Sequence, residues 1–415
     1  MGSDSHSMHS LTHMNPHPAP DDPTMGLILT GGGARAAYQV GVLQGLMAMR
    51  SPRDASAQNP FQIICGTSSG AINASVLACG ADQFDETLQR LVQVWGQFEV
   101  GQVYRSEILD MLRSGLGWMS LLLLGWMIRH RRMRPRSLLD NTPLAGLLAE
   151  HIDFSRLPQI MAQGHVSALA ITASSYSTGE HVTFYQSRHE APTWVRNQRL
   201  AMPCVLTHAH LLASSAIPFV FPAKSLHGPY GPAWFGDGAM RQSAPISPAI
   251  HLGAKKILVI GAGRLQEPSR PPSVVEPEYP SMASIAGHAL SSIFLDSLSV
   301  DIERLQRINH TLTLIPAEQR SQASLSPIEL LVISPTERLD DIALRHVDRF
   351  PLAVKNLLRV LGNSSGRAAQ QSGAFISYLL FEAAYTQELL ALGRRDASAK
   401  EKEIRAFFGW TQRGV

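Results

Sequence analysis

Length, composition and charge describe an ordinary folded protein and exclude several classes. The chain has 415 residues, 45% of them hydrophobic and 17% charged, which is typical of a globular rather than a disordered protein. Lysine and arginine exceed aspartate and glutamate by 36 − 33 = 3, too small an excess to indicate a nucleic-acid partner. The three cysteines (Cys65, Cys79 and Cys204) form no C-x-x-C pair, so a reducing cytoplasm is favoured over a disulfide scaffold.

Residues 1–23 have the composition of a disordered leader. They are rich in His, Ser, Pro and Asp, without periodicity, so their histidines have no packed frame that would hold a metal, and we predict neither metal nor cofactor. No basic start is followed by an apolar stretch, and no apolar run reaches about 18 residues. We therefore expect a cytoplasmic protein without signal peptide or membrane-spanning helix, though able to associate with a membrane.

The first ordered part of the chain alternates between strand and helix patterns. Leu27 to Thr30 predicts a buried strand, and the apolar spacing from Ala36 to Met47 predicts a helix. A second strand over Phe61–Cys65 is followed by a second helix from Ala71. This order predicts an α/β fold with a mainly parallel central sheet.

Downstream patterns predict further elements and a domain boundary. We expect a helix over Asp82–Phe98, strands over Val166–Ala173, His181–Tyr185 and Lys256–Ile260, and helices over Leu295–Leu305 and Ala374–Leu392. The proline-rich segment from Pro268 to Pro280 is the candidate boundary. The predicted organisation is a leader (1–23), a core (24–265) with an apolar and basic insertion (about 112–137), a connection (266–284) and a helix-rich C-terminal extension packing on the core (285–415).

A candidate nucleophile lies in the turn Gly66-Thr67-Ser68-Ser69-Gly70, which fits G-x-S-x-G. This pattern places a serine on a sharp turn between strand and helix, and small residues such as Gly66 and Gly70 let the backbone pass closely. Gly362–Gly366 fits the pattern equally well, but it follows a helical stretch and is typical of a helix end. Context therefore favours Ser68, although a serine that merely forms the turn remains the alternative.

A glycine-rich loop, Gly31-Gly32-Gly33-Ala34-Arg35-Ala36, also lies between a predicted strand and a helix. Consecutive glycines can direct several backbone N–H groups at one oxygen, as an oxyanion hole requires. The spacing also fits a dinucleotide-binding loop, which needs an acidic residue at the end of the next strand. That strand ends at Cys65-Gly66, so the nucleotide hypothesis is rejected.

Arg35 allows two interpretations. It is either an exposed residue in the first turn of the helix or a cation near the oxyanion or a lipid phosphate.

Two kinds of base could activate the serine. Histidine is the usual one, and the histidines that come into question are His181, His208, His210 and His251, none of which sits in a recognisable motif. Asp237 follows aromatic residues and has glycines on both sides, which leaves its carboxylate uncovered on a tight turn. From spacing alone, an ordinary Asp-Gly surface turn is the favoured explanation.

Three motifs together resemble the signatures of the patatin-like phospholipases. They are Gly31-Gly32-Gly33-Ala34-Arg35, Gly66-Thr67-Ser68-Ser69-Gly70 and Asp237-Gly238-Ala239, with Ala213-Ser214-Ser215-Ala216-Ile217-Pro218 resembling the segment before the family's aspartate. The resemblance covers about Met25 to Gly261 and implies a three-layer α/β fold. It also implies a Ser68–Asp237 dyad without histidine and an oxyanion hole built by the N–H groups of Gly31, Gly32, Gly33 and Ala34. Ala36 is a departure, since many members have glycine there.

We therefore expect a serine acyl hydrolase that cleaves lipid esters, either phospholipid or acylglycerol, through an acyl-enzyme. A soluble carboxylesterase with a Ser-His-acid triad and a catalytically silent lipid-binding protein are the alternatives. Gly115 to Ile128 is apolar except for Ser120, contains two tryptophans and precedes five arginines within 129–136. Residues 115–136 therefore suit either contact with a membrane surface or a cover over the active site.

Overall fold

The computed structural model describes most of the chain. The described residues are 24–51, 59–105, 137–189, 191, 193–196, 198–265, 282–292, 297–320, 325–352, 354–356 and 367–410. The predicted leader, the predicted insertion including 115–136, most of the proline-rich connection and the second G-x-S-x-G match lie outside them.

Ten strands form one sheet. They are β1 (Met25–Leu29), β2 (Ile63–Thr67), β3 (Ala168–Ser175), β4 (His181–Ser187), β5 (Val195–Arg196), β6 (Arg199–Pro203), β7 (Lys224–Gly228), β8 (Gly231–Asp237), β9 (Lys256–Ile260) and β10 (Glu329–Ile333). Their order across the sheet is β10-β9-β1-β2-β3-β4-β6-β5. The first five of these run parallel, which confirms the predicted α/β fold with a mainly parallel sheet.

Fifteen α-helices accompany the sheet in the described part of the chain. They are α1 (Ala37–Met49), α2 (Ser69–Cys79), α3 (Phe84–Gly96), α4 (Val100–Val103), α5 (Thr142–His151), α6 (Leu157–Ala162), α7 (His208–Ser214), α8 (Ser247–His251), α9 (Met282–Ser291), α10 (Ser297–Leu314), α11 (Ala317–Arg320), α12 (Leu339–Arg345), α13 (Arg367–Leu379), α14 (Ala383–Ala399) and α15 (Glu401–Phe408). None of these helices has both the length and the apolar character needed to cross a bilayer.

Both faces of the sheet are covered. In β1, Leu27 and Leu29 belong to the larger hydrophobic core, whereas Ile28 belongs to a second core on the opposite face. Alternate side chains of a strand point to opposite faces, and all three are buried. Such burial on both sides is typical of parallel sheets between two helical layers.

The C-terminal region is more than a set of helices. It supplies β10, which extends the sheet beside β9 in parallel register. The prediction of a helix-rich extension did not include this strand, although Leu330–Ile333 is a short apolar run between Pro327 and Pro335. The region also supplies α14, which packs so closely on α1 that a Cβ atom added to Gly41 would lie 2.2 Å from the carbonyl oxygen of Leu390.

One helix predicted from the sequence is observed as two separate helices. The expected helix over Ala374–Leu392 is interrupted between α13 and α14, at residues 380–382. Phe381 lies in this break, where its ring contacts those of Trp95 and Phe98 with centroids 6.3 and 5.8 Å apart. Burial of this aromatic side chain between helices outweighs the continuation of the helical pattern.

Candidate active site

Ser68 occupies a strained turn between β2 and α2. Its backbone angles are φ 55° and ψ −130°, a combination that non-glycine residues rarely adopt. The two motif glycines are required by close contacts: a Cβ atom on Gly66 would lie 2.4 Å from Cα of Ala71, and one on Gly70 would lie 2.2 Å from the carbonyl oxygen of Leu29. The turn therefore has the geometry that the G-x-S-x-G pattern predicts.

Ser214, at the end of α7, holds this turn in place. The Ser68 N–H donates to Ser214 Oγ at 2.8 Å, and the Ser214 hydroxyl donates to the carbonyl oxygen of Thr172 in β3 at 2.6 Å. From the sequence, Ser214 belongs to the segment Ala213–Pro218 that resembles the one before the family's aspartate, and it has no predicted role. No sequence signal pointed to Thr172.

Asp237 meets Ser68 at the carboxyl ends of β2 and β3. It ends β8, which pairs antiparallel with the last residues of β3. Ser68 Oγ donates to Asp237 Oδ2 at 2.7 Å, and the N–H of Ala239 donates to Oδ1 at 2.9 Å. A Cβ atom on Gly238 would lie 1.9 Å from the carbonyl oxygen of Thr172. The structure thus brings together two predicted residues that lie 169 positions apart in the chain.

The environment of Asp237 favours its protonated form. The residue is fully buried, with 0% exposure, and burial raises the pKa of its carboxyl to about 7 against the partly offsetting hydrogen bonds from Ala239 and Ser68. A surface Asp-Gly turn is therefore the wrong interpretation. A carboxylate with a pKa near neutrality can accept a proton far more readily than an ordinary aspartate.

The glycine-rich loop follows β1 and leads into a short 3-10 helix, Gly33–Ala36. All residues from Gly31 to Ala34 are buried, and their backbone N–H groups donate to no acceptor among the described residues. Gly33 adopts φ +55°, and a Cβ atom there would lie 2.2 Å from the carbonyl oxygen of Tyr378. Gly33 and Ser68 line the same cavity.

Arg35 is buried, and its charge is paired within the protein. It is 2% exposed, so the expectation of an exposed first-turn residue is wrong. Its guanidinium group forms an ion pair with Asp340, donates to Ser377 Oγ at 2.8 Å and lies 3.9 Å from the ring centre of Tyr378. These partners come from the C-terminal region and occupy the charge, which leaves no support for a contact with lipid phosphate.

The histidines considered as bases do not reach Ser68. His181 is buried, and its Nε2 contacts the carbonyl oxygen of Gly238 at 3.2 Å, so this nitrogen carries the hydrogen. Burial lowers the pKa of His181 to about 4, which keeps the ring neutral at pH 7. The other three contact Ile152 (His208), Thr207 (His210) and Ser247 (His251). The acceptor of the Ser68 hydroxyl is Asp237.

A cavity of about 290 Å³ leads from the solvent to Ser68, and we call it the α2 cavity. One face of α2 lines it through Ser69, Ile72, Val76 and Cys79, so at about 1.5 Å per residue it follows the helix for roughly 15 Å. Apolar side chains of α3 and α5 form much of the opposite wall, and exposed charged residues such as Arg90 and Glu150 form the rim. The space therefore suits a single extended apolar chain.

The sequence resembles those of known proteins. The family model described as patatin-like phospholipase matches residues 27–250, which is more than half of the chain and includes the glycine-rich loop, Ser68 and Asp237. No curated protein matches the sequence. Similar solved structures include VipD from Legionella pneumophila, with 14% identity and a TM-score of 0.32 over 89% of this chain and 67% of that one. Another is the type III effector protein ExoU, with 15% identity and a TM-score of 0.26 over 85% of this chain and 77% of that one. The extent of the family match shows that the chain belongs to the patatin-like phospholipase family.

Proposed function

We propose that the protein is a serine acyl hydrolase that cleaves ester bonds of lipids, either phospholipid or acylglycerol, with Ser68 as nucleophile and Asp237 as base. The observation that carries the proposal is the 2.7 Å hydrogen bond from Ser68 Oγ to Asp237 Oδ2 at the inner end of the α2 cavity. The family match supports a lipid ester as the substrate.

The proposed reaction has two halves. Ser68 Oγ attacks the acyl carbonyl carbon while its proton passes to Asp237, and the tetrahedral oxyanion accepts hydrogen bonds from the backbone N–H groups of residues 31–34. The alcohol then leaves with the proton from Asp237, and an acyl-enzyme remains on Ser68. Water attacks this ester, Asp237 again relays the proton, and the fatty acid and free serine are restored.

The α2 cavity supports a lipid acyl group as the part of the substrate that enters. Its walls along α2 and α3 are formed by Ile72, Val76, Leu91 and Val94, and its far end is open at the charged rim. A long hydrocarbon chain would bury its apolar surface there. A short ester would leave most of the cavity unused.

The decisive experiment is an assay of the purified protein on a phospholipid, an acylglycerol and a short-chain ester beside Ser68→Ala. We expect turnover of the long-chain lipids and its loss in the variant, with covalent labelling of Ser68 by a fluorophosphonate. Full turnover by Ser68→Ala would contradict the proposal, and absence of both labelling and turnover would favour the silent lipid-binding protein. Replacing His181, His208, His210 and His251 one at a time should leave turnover measurable, whereas an essential histidine would favour the triad esterase.

We also propose that residues 115–136 contact the lipid surface. The described residues on either side of 106–136 lie together, because the Arg105 N–H donates to the carbonyl oxygen of Asp140 at 2.9 Å. These flanking residues adjoin the α2 cavity, because Val103, two residues before Arg105, lines the cavity together with Phe221. Apolar residues with tryptophan and arginine beside them suit a headgroup region.

Sedimentation with vesicles tests this contact. We expect the protein to bind vesicles containing anionic lipid, to bind less as salt rises, and to lose binding when the five arginines of 129–136 become glutamine. Neutral vesicles serve as the control. Equal binding by the substituted protein would remove these arginines from the interaction.

A further inference from the structure

Two buried hydroxyl groups in the α2 cavity have no partner in the described part of the protein. They belong to Ser69 and Ser215, which are 5% and 7% exposed, and both residues line the cavity beside Ser68. Buried polar groups are normally hydrogen-bonded, and each exception requires an explanation. In a cavity whose walls along α2 and α3 are largely apolar, a bound ligand is such an explanation.

The two serines lie next to the catalytic turn. Ser69 follows Ser68 and Ser215 follows Ser214, and these two neighbours are joined by the 2.8 Å hydrogen bond from the Ser68 N–H to Ser214 Oγ. Consecutive Cα atoms are about 3.8 Å apart, so both hydroxyl-bearing residues adjoin this bond. If the carbonyl carbon of a substrate lies at Ser68 Oγ, only the atoms next to the scissile ester would lie beside Ser69 and Ser215.

Neighbouring serines have their hydrogen bonds satisfied within the protein. Ser68 donates to Asp237, and Ser214 donates to the carbonyl oxygen of Thr172. The hydroxyls of Ser68 and Ser214 are therefore already used in hydrogen bonds that stabilise the turn and the dyad. Ser69 and Ser215 differ from them, because their hydroxyls have no partner among the described residues.

We propose that Ser69 and Ser215 form a polar subsite that binds an oxygen-bearing substituent next to the scissile ester. The inference rests on the proposed hydrolase function and narrows its substrate class. A serine hydroxyl both donates and accepts, so a substrate hydroxyl is the group that satisfies the pair best. That hydroxyl comes either from the acyl chain, as in a 3-hydroxyacyl ester, or from the alcohol, as in a monoacylglycerol.

The subsite predicts discrimination by substrate hydroxylation. A site built to hydrogen-bond a substrate hydroxyl disfavours the analogue that lacks it, because the protein groups then stay buried and unpaired. We expect kcat/KM for a hydroxylated ester to exceed that for its plain counterpart by about tenfold or more.

Three esters with the same acyl length separate the two sources of the hydroxyl. Propyl decanoate is the plain reference, propyl 3-hydroxydecanoate carries the hydroxyl on the acyl chain, and 1-monodecanoylglycerol carries it on the alcohol. Release of free acid is measured for each with the full-length protein. A raised kcat/KM for only one hydroxylated ester identifies the source.

Two variants test the assignment, and a third is a matched control. Ser69→Ala and Ser215→Ala should each lower the ratio of hydroxylated to plain kcat/KM about tenfold. Ser75 also lies on α2, is fully buried and has an unpartnered hydroxyl in the described structure, but it does not line the cavity. Ser75→Ala should therefore leave the ratio unchanged.

The outcomes distinguish a failure of the proposed subsite from a failure of the proposed hydrolase function. Three results would contradict the subsite but not the hydrolase function. They are a ratio of hydroxylated to plain kcat/KM near one in the unsubstituted protein, a ratio that neither Ser69→Ala nor Ser215→Ala changes, and an equal fall of the ratio in Ser75→Ala. If no ester is hydrolysed and Ser68 is not labelled by a fluorophosphonate, the proposed function itself fails.

Discussion

At the scale of single residues, the ionisation of Asp237 should govern activity. The carboxyl must be unprotonated to accept the Ser68 proton, and burial raises its pKa to about 7. We therefore expect kcat/KM to rise with pH, with a midpoint near 7, and to level off above it. A pH–rate profile on a neutral, soluble ester measures this, and a midpoint near 4 would show that the carboxyl is not desolvated in solution.

Replacing this carboxylate should cost more than replacing a nearby polar group. Asp237→Asn should lower kcat by about 10²- to 10⁴-fold, the usual contribution of a general base. Gln242 is a matched control, because its amide donates to Thr67 Oγ1 at 2.9 Å beside the same turn without contacting Ser68. A smaller loss in Asp237→Asn than in Gln242→Ala would argue against Asp237 as the base.

The same carboxyl should make stability depend on pH. Its pKa in the folded protein lies above the ordinary value of 3.8, so the unfolded chain releases the proton first as pH rises. The free energy of unfolding should therefore fall between about pH 4 and pH 7, by up to about 4 kcal/mol at 1.4 kcal/mol per pKa unit.

Urea unfolding at pH 5 and pH 8 measures this contribution. Asp237→Asn carries no ionisable group, so its stability relative to the unsubstituted protein should increase from pH 5 to pH 8. An equal difference at both pH values would contradict the prediction.

At the scale of elements, α3 contributes a wall whose bulk should set the acyl-chain preference. Val94 lines the α2 cavity, whereas Val92 on the same helix is also half-buried but does not line it. Val94→Trp should lower kcat/KM for a palmitoyl ester relative to a butyryl ester by about tenfold or more, because the larger ring fills space that a long chain needs.

Val92→Trp is the control for a bulky substitution on this helix, and it should leave the chain-length ratio unchanged. Retained hydrolysis of the butyryl ester shows that each variant is folded. If Val94→Trp leaves the palmitoyl preference intact, the acyl chain takes another path.

Elements also show what sequence patterns can and cannot predict. The strands β1, β2, β3 and β9 and the helices α1 and α2 follow from apolar runs between glycine-rich turns, because strong periodicity and turn chemistry agree there. The break at Phe381 does not follow, since it depends on the rings of Trp95 and Phe98, nearly 290 positions earlier in the chain. Local patterns carry no information on such tertiary contacts.

At the scale of the whole molecule, the C-terminal region supports the glycine-rich loop through an ion pair whose arginine is buried and whose aspartate is partly exposed. Arg35 lies in the 3-10 helix of the loop, and its ion-pair partner Asp340 lies 305 positions later in the chain. Asp340→Asn should lower the free energy of unfolding by about 3–5 kcal/mol, because it leaves the guanidinium charge buried without its partner.

An exposed ion pair provides the comparison. Arg307 and Glu303 on α10 have side chains 77% and 63% exposed, so Glu303→Gln should change stability by less than about 1 kcal/mol. Urea unfolding of both variants at pH 7 measures the difference. Similar losses in the two variants would show that Arg35 does not depend on Asp340.

The candidate site was predictable from sequence to a limited extent. Ser68, Asp237 and the glycine-rich loop were predicted because three motifs in order resemble those of one family, whereas spacing alone favoured a surface turn at Asp237. The distance between Ser68 and Asp237 was not encoded, because it depends on β8 pairing with β3. Arg35 was misjudged for a related reason: the Asp340 carboxylate that pairs with it belongs to a region without a recognised motif.

The single sheet shared by the N-terminal and C-terminal parts has a consequence for cutting the chain. Because β10 pairs with β9 and α14 packs on α1, a protease site engineered between residues 265 and 282 should yield two polypeptides that stay associated. The nicked protein should give two bands on a denaturing gel, yet elute at the volume of the intact protein and retain its activity. Expressed alone, the N-terminal polypeptide would expose the β9 edge and should aggregate until the missing half is supplied.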